Sequence, residues 1–425
     1  TPPVPPVAEQ PPPPPMAAPE TVPVQEQTSQ PADLAANDVT PADTPTDPWQ
    51  ISDPRTLVFA SAPVEDPAVY RRVWAEFIDH LARTTGRSVQ FFPVQSNAAQ
   101  IEAMRAGRLH VAGYNTGAVT QEYDVIADAG IIYIHHNTDI VHHQTVGGDP
   151  ERYFGIFMGD PAEHWYGEGL LSFLNGLGEK GQWERPNNKI AVVTGSQNYS
   201  VVIANAIRDN AQKYGWDISL FETVVVPISE WGPTLAKIRN DPPAVVAVTH
   251  WVPQDLAQFM LQFVYMQYGP SLAAFREIGK DATNGILYST VIAALQDDIG
   301  QAFIKRYKDR WGADSRPLIG AQVYASAHYY ALAAALAGGT GEPGNYEQNR
   351  LISERLKRMI YRGVMGTTHF FLPEQAAIPY PDAINDPSLG MPHQYLQIQD
   401  YTQEPALIAP PPYETAQFKL PPWFK

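Results

Sequence analysis

The sequence contains no cysteine. That absence excludes disulfides, thiolate zinc sites, cysteine nucleophiles and a lipid-bearing cysteine together. It also lacks any run of about 20 apolar residues, so no segment reads as a membrane-spanning helix. Positive charge is scarce: 29 Lys and Arg stand against 45 Asp and Glu, a formal charge of −16. Such a field repels nucleic acid and anionic lipid, and neither is expected as a partner. No GxSxG elbow, GxxxxGK[ST] phosphate loop or HExxH pair occurs, so no catalytic activity and no cofactor is expected. The chain opens at Thr1, without Met or a signal peptide, the pattern expected of a processed, exported protein.

What the chain does have is 425 residues, enough for two or three domains and a core that needs no staple. Residues 1–55 carry 16 of the 41 prolines, including PPPPP at 11–15, with almost no aliphatic periodicity. This reads as a disordered, locally polyproline-II tether. Beyond it, short apolar strands alternate with amphipathic helices: TLVFASAP (56–63), then a helix with Val69, Val73, Trp74, Phe77 and Leu81 on one face that stops at Gly86. Strands SVQFFPV, LHVAGYN and IIYIHHNTD follow, separated by helical stretches. Short-linked repetition of strand, helix and strand predicts a parallel sheet covered by helices.

A second such run starts after AEHWYGEGLLSFLNGL, with strands KIAVVTG, DISLFETVVVP, AVVAVTH, YMQYGP and GILYSTV. The helices at 297–312 and 321–337 read as additions to the first lobe, and the rest as an irregular, Pro-rich tail. The fold class expected is therefore α/β, with two Rossmann-like lobes: 56–153 plus 291–360, and 154–290 plus 361–425. A ligand cleft is expected where the carboxyl ends of both sets of strands meet. Helix QDLAQFMLQF runs into strand VYMQYGP near Val264 without turn residues; either the helix ends early or a connecting loop is missing.

The motifs KIAVVTGSQNYS, ETVVVPISEWGPTLAKIRNDPPAVVAVTH, RGVMGT, AAIPYPDAINDPSLGMPHQYLQIQD and APPPYETAQFKLPPW resemble, in order and spacing, type I periplasmic substrate-binding proteins of the leucine, amide and urea class. The resemblance spans roughly residues 119–423. Residues 57–117 are more similar to the start of phosphonate-binding proteins, a type II group with a different strand order. The main resemblance implies two lobes joined by hinge strands near YFGIFMGD, NGILYSTV and RGVMGTTHF, closing on a small polar organic ligand. It further implies a monomer in the periplasm that serves an ABC permease of the inner membrane. A metal-binding or metal-sensing protein, and a ligand sensor without a transporter, are the alternatives.

Carried over by position, the resemblance implies ligand contacts at Thr116 and Gly117, Asn137 and Thr138, Tyr199, His250 and Trp251, and Tyr268 and Ser271. The QYGPS loop supplies no acid where amino-acid binders of this class hold the ligand ammonium. That favours a neutral amide or urea-like solute over a free amino acid, although aromatic walls would also suit a quaternary ammonium. Asp160, Glu163 and Glu168, in GDPAEHWYGEG, read as solvated or capping residues, and Ser196 as lining or capping a helix start.

One stretch remains: IIYIHHNTDIVHHQ, residues 131–144, holds four histidines within nine positions. On a strand His135 and His136 face opposite sides, so only one of them can join His142, His143 and Asp139 around a metal. The favoured reading is a strand end at a cleft rim, with neutral imidazoles making hydrogen bonds and His142 and His143 in a following loop.

Overall fold

In the computed structural model the described residues are 55–61, 74–93, 100, 103, 108–113, 123–225, 228, 230–257, 259, 264–313, 315, 317–341 and 344–422. The Pro-rich arm, apart from Arg55, and the expected contacts Thr116 and Gly117 lie outside them. The first region contains β1 (Thr56–Ser61), α1 (Ala75–Thr85), β2 (Ser88–Phe91), β3 (Val111–Gly113), α2 (Tyr123–Ala129), β4 (Tyr133–His135), α3 (Ile140–Gly148) and β5 (Ile156–Met158). Strands pair in parallel as β2-β1-β3 and as β4-β5.

From β5 the chain passes into α4 (His164–Glu179), which lies on a larger sheet. Its elements are β6 (Lys189–Gly195), α5 (Asn198–Asn210), β7 (Asp217–Val224), α6 (Gly232–Asn240), β8 (Val245–Val248), α7 (Pro253–Leu256), β9 (Val264–Met266), α8 (Ala273–Gly279) and β10 (Leu287–Thr290). The chain then runs through α9 (Asp298–Trp311), α10 (Leu318–Leu336) and α11 (Tyr346–Arg358). It returns by the hairpin of β11 (Ile360–Gly363) and β12 (Gly366–His369) and by β13 (Pro379–Tyr380) and β14 (Met391–Pro392), to β15 (Gln394–Gln397) and β16 (Ala406–Ala409).

The seven-stranded sheet has the order β16-β15-β10-β9-β8-β6-β7. Numbered from β6, its parallel strands stand 2-1-3-4-5, a doubly wound order, and β15 and β16 add antiparallel at the β10 edge. The central strands β6 and β8 read as unbroken apolar runs because both faces are covered. Ile190, Val192, Val245, Ala247, Tyr265 and Leu287 turn toward α4 and α5. Ala191, Val193, Val246, Val248, Met266 and Tyr288 turn the other way, onto Ile238 of α6, Leu256 of α7 and Phe275 of α8. Burying each such aliphatic side chain is worth roughly 1.5–3 kcal/mol.

Three expectations change. α7 ends at Leu256, so the helix before β9 is shorter than its apolar pattern suggests. The tail contributes two strands to the main sheet, and α11, amphipathic and N-capped by Asn345, was not anticipated. His142 and His143 lie on a helix, α3, rather than in a loop, because Asp139 caps it by accepting the Val141 N–H at 2.9 Å.

The α4–α5 contact depends on one glycine. A Cβ on Gly167 would lie 2.6 Å from both the Ala206 Cβ and the Ile203 carbonyl oxygen, and the backbone atom cannot step aside without separating the helices. Gly167→Ala is therefore expected to lower stability by about 1–3 kcal/mol despite its better helix propensity; an unchanged urea midpoint would contradict this packing.

Candidate functional site

In an open parallel sheet, ligands bind outside the carboxyl ends of the strands, where successive connections depart to opposite faces. Here that point lies between β6 and β8. After β6 the chain passes Ser196 and Gln197 and enters α5; Gln197 is the N-cap, extended and without a side-chain cap, so the first N–H groups of the helix have no intrahelical partner. Ser196 is exposed just before it and does not cap. After β8, the Thr249 hydroxyl donates to the Ser200 carbonyl at 2.9 Å and ties this loop to the first turn of α5.

The expected contacts divide between different settings. Tyr199 packs edge-on against Tyr166, with ring centroids 6.3 Å apart, and lies within electrostatic reach of Glu163 and Tyr268. Tyr268 itself holds a strained backbone, φ 40° and ψ −46°, at the end of β9. Trp251 is 37% exposed at the rim. His250 turns inward instead: it is fully buried, and its Nε2 meets Asp255 Oδ2 at 2.8 Å. Burial lowers its pKa, and the Asp255 carboxylate opposes that shift. Ser271 lines a separate cavity of about 230 Å³ with Arg276, Thr290 and Gln296. Asn137 and Thr138 are partly buried between β4 and α3.

The histidine stretch resolves into two hydrogen-bonded sets. His135 Nδ1 accepts the Asn137 N–H at 3.2 Å, which leaves its Nε2–H to donate to the Tyr123 hydroxyl at 2.6 Å. Tyr123 in turn donates to His142 Nδ1 at 2.7 Å, and His142 Nε2–H donates to the Glu374 carbonyl at 2.6 Å. All four ring nitrogens are engaged and both rings are neutral, a tautomer assignment that the network itself dictates. Burial holds the His142 pKa down to about 3 and that of His135 well below its ordinary value. His136 faces the other side, as strand alternation requires: Nε2 meets the Ser326 hydroxyl and Nδ1 lies 3.2 Å from Asp160 Oδ2. A side chain at Gly159 would occupy the place of this ring, 2.4 Å from His136 Cε1. Among the described residues no group of three or more His, Asp or Glu side chains could hold a metal.

Two of the three carboxylates of the β5–α4 segment, Asp160 and Glu163, are not solvated, whereas Glu168 is partly exposed. Asp160 is fully buried, with Oδ2 accepting from Gln322 Nε2 at 2.5 Å and Oδ1 without a hydrogen-bond partner. Glu163 is 1% exposed, and its Oε2 also lacks a partner. Burial above all pushes the Glu163 carboxyl up to about 8, with a smaller push from the nearby Asp139 carboxylate, against the opposing pull of its own backbone N–H and that of Ile140. Glu168 is satisfied by Lys213 at 2.6 Å and Tyr214 at 3.1 Å. Local sequence gave no sign of this burial, because the residues that cover Asp160 and Glu163 come from α10 and α3. Gln267, at the end of β9, is fully buried with neither carboxamide atom paired. Unpaired buried polar atoms thus stand just beyond β5, at Asp160 and Glu163, and just beyond β9, at Gln267, and such atoms suit a polar occupant.

A second buried array has the connectivity of a nucleophile, base and orienting acid: Ser289 Oγ to His393 Nε2 at 2.9 Å, and His393 Nδ1 to Asp382 Oδ2 at 2.5 Å. The Ser289 oxygen is fully buried and shared with the Tyr265 hydroxyl at 2.7 Å, so the array fastens β10 to β15 and presents no free nucleophile. Gly169 of α4 makes room for it, since a Cβ there would lie 2.6 Å from Asp382 Oδ2. Residues 176–181 spell GxGxxG, but at the carboxyl end of α4, where carbonyls rather than N–H groups face outward, the reverse of a phosphate-binding turn.

Residues 95–379 match the periplasmic binding protein family, and residues 59–125 match the phosphonate ABC-transporter periplasmic substrate-binding protein family. Among solved structures, a candidate branched-chain amino acid ABC transporter from Silicibacter pomeroyi is 44% identical. The match covers 87% of this chain and 100% of that one, with a TM-score of 0.73. A leucine binding protein, LivK, from Thermotoga maritima is 13% identical over 84% of this chain and 99% of that one, with a TM-score of 0.56. A candidate branched-chain amino acid ABC transporter from Rhodospirillum rubrum is 16% identical over 83% and 99%, with a TM-score of 0.53. These last two likenesses speak to the fold alone, which is that of type I periplasmic binding proteins. Comparison with curated proteins gives no match.

The buried imidazoles also make stability depend on pH. Burial holds His143 and His164 down to about 4. Below about pH 6.5 the unfolded chain takes up protons that the fold refuses, so their contribution is intact above that pH and is lost as pH falls toward 4. His143→Gln is expected to reduce the acid-side slope of the unfolding free energy by about 1.4 kcal/mol per pH unit; denaturant titrations from pH 7 to 4.5 with identical slopes would contradict this.

Proposed function

The chain belongs to the periplasmic binding protein family, and we propose on that footing that it is an exported receptor for a small polar organic ligand, an amino acid or an amide or urea-like solute. It delivers this ligand to an ABC permease in the inner membrane, acting as a monomer in the periplasm and not as an enzyme. No helix among the described residues is long and apolar enough to cross a membrane, in keeping with a partner that supplies the channel.

The observation that carries this reading is the set of unpaired buried polar atoms just beyond the ends of β5 and β9: Asp160 Oδ1, Glu163 Oε2, which lies within electrostatic reach of Tyr199, and both carboxamide atoms of Gln267, next in sequence to Tyr268. An unpaired buried polar group costs about 1–3 kcal/mol, and a polar ligand removes that penalty on binding. Lobe 1, residues 56–153 plus 291–360, and lobe 2, residues 154–290 plus 361–425, close on the ligand through the three connections between them. The ligand favours the closed form only by touching both lobes. The Silicibacter pomeroyi relative bears the name of a branched-chain amino acid transporter, which favours an amino acid over an amide. Asn137, Thr138 and Trp251 serve as further contacts, with Thr116 and Gly117 contributing from lobe 1.

Tyr199 is the aromatic wall of this site. Tyr199→Ala is expected to weaken a solute bound by the native protein about 10- to 100-fold in titration calorimetry, the cost of losing a buried aromatic contact, while circular dichroism stays unchanged. Equal affinity for wild type and variant would remove Tyr199 from the site.

A further inference from the structure

A cavity of about 230 Å³ lies against β10 and β15, on the face of the sheet that carries α8. α9 supplies another wall: Gln301, Ile304 and Lys308, spaced i, i+3 and i+7, fall on one stripe of that helix. Tyr288, Ile304 and Leu396 make the lining apolar in part, while Ser271, Arg276, Thr290 and Lys308 bring donors to the same space. The Arg276 side chain is only 10% exposed. It donates to the Gln403 carbonyl, and its ion-pair partner, Glu404, lies 3.6 Å away and is itself 58% exposed. A guanidinium offers five N–H donors, and a solvated counterion at that distance neutralises a buried one poorly. The Lys308 ammonium has no carboxylate partner among the described residues.

The smaller polar groups point the same way. Ser271 Oγ is buried without a hydrogen-bond partner of good geometry, the Tyr268 hydroxyl being its neighbour. Thr290 Oγ1 accepts the Ile292 N–H at 3.1 Å and keeps its own proton to donate. The carboxamide N–H groups of Gln394 and Gln296, by contrast, are spent on the Ala293 and Pro405 carbonyls at 2.8 and 3.3 Å, which fixes the wall.

Two cations thus face one acid, in a chain whose acids outnumber its bases 45 to 29. Surplus donors call for an anion, and the guanidinium fork matches the two oxygens of a carboxylate. A phosphate would leave oxygens against Tyr288, Ile304 and Leu396, which cannot satisfy them. The volume sets the size of the body, since a cavity of ~150 Å³ already holds a benzene ring. We propose that this cavity is a second ligand site, separate from the crevice between β6 and β8, and that it takes a small carboxylic acid with an apolar body of about ring size. Arg276 and Lys308 hold the carboxylate, and Tyr288, Ile304 and Leu396 cover the body. The occupant ties α8 to α9 and stabilises the fold by mass action. This site stands independently of the receptor reading.

The test is titration calorimetry and thermal unfolding of the full chain with benzoate, phenylacetate and hexanoate, beside benzamide and inorganic phosphate. At least one of the three acids is expected to bind saturably and raise the melting temperature, and benzamide and phosphate to do neither. Arg276→Gln is expected to weaken the acid about 10- to 100-fold, as loss of a charge-assisted hydrogen bond does. Lys308→Gln, at a partly exposed position with no carboxylate partner to strand, is expected to weaken it about tenfold and decides the matter even if the arginine variant fails to fold. Tyr199→Ala, in the crevice, is expected to leave the acid unaffected. Absence of saturable binding by all three acids overturns the inference. So does benzamide binding as tightly as benzoate, phosphate binding in place of the acids, or an affinity that Lys308→Gln leaves unchanged. An acid weakened by Tyr199→Ala and not by Lys308→Gln sits in the crevice, which overturns it as well. Each of these outcomes leaves the receptor reading in place, since that reading is tested by the solute of the crevice.

Discussion

The fold depends on one constraint: the parallel strands β6, β8, β9 and β10 are covered on both faces, so every residue of β6 beyond Lys189 is buried. Their backbone groups are satisfied by neighbouring strands along their length, and that ladder stops at the carboxyl ends. There the connections after β6 and β8 depart to opposite faces, the place at which open parallel sheets bind ligands. Water-shy surface is thereby used up elsewhere, and the polar groups that have no strand partner, Gln267 among them, are concentrated at the strand ends. The position of the site is a consequence of the winding order rather than of any local motif.

The same constraint decides what could be read from the residues. Strands such as KIAVVTG and AVVAVTH declare themselves because burial on two faces demands a continuous apolar run. The antiparallel strand Gln394–Gln397, between β10 and β16, does not. Its two glutamines are buried by bonds to the Ala293 and Lys419 carbonyls, far along the chain, and nothing in QYLQ foretells those partners. α7 misled in the opposite sense, since its apolar residues continue past Leu256 although the helix does not.

In the candidate site the division is similar. Alternation along β4 correctly separates His135 from His136, because the period of a strand is a local property. The role of Tyr123 as the hydroxyl between His135 and His142 is not local and was missed. Asp160 and Glu163 were misread as solvated, since their surroundings are supplied by Gln322, 162 positions away in sequence, and by the turn around Asp139.

If the orphan atoms at the strand ends mark the ligand site, ligand binding must quiet several separated segments at once. Amide hydrogen exchange with and without a bound solute tests this most directly. Joint slowing at residues 136–140, 160–165, 196–200 and 267–269 is the predicted result. Slowing confined to one of these segments, or centred instead on the cavity around Arg276 and Thr290, would contradict the account.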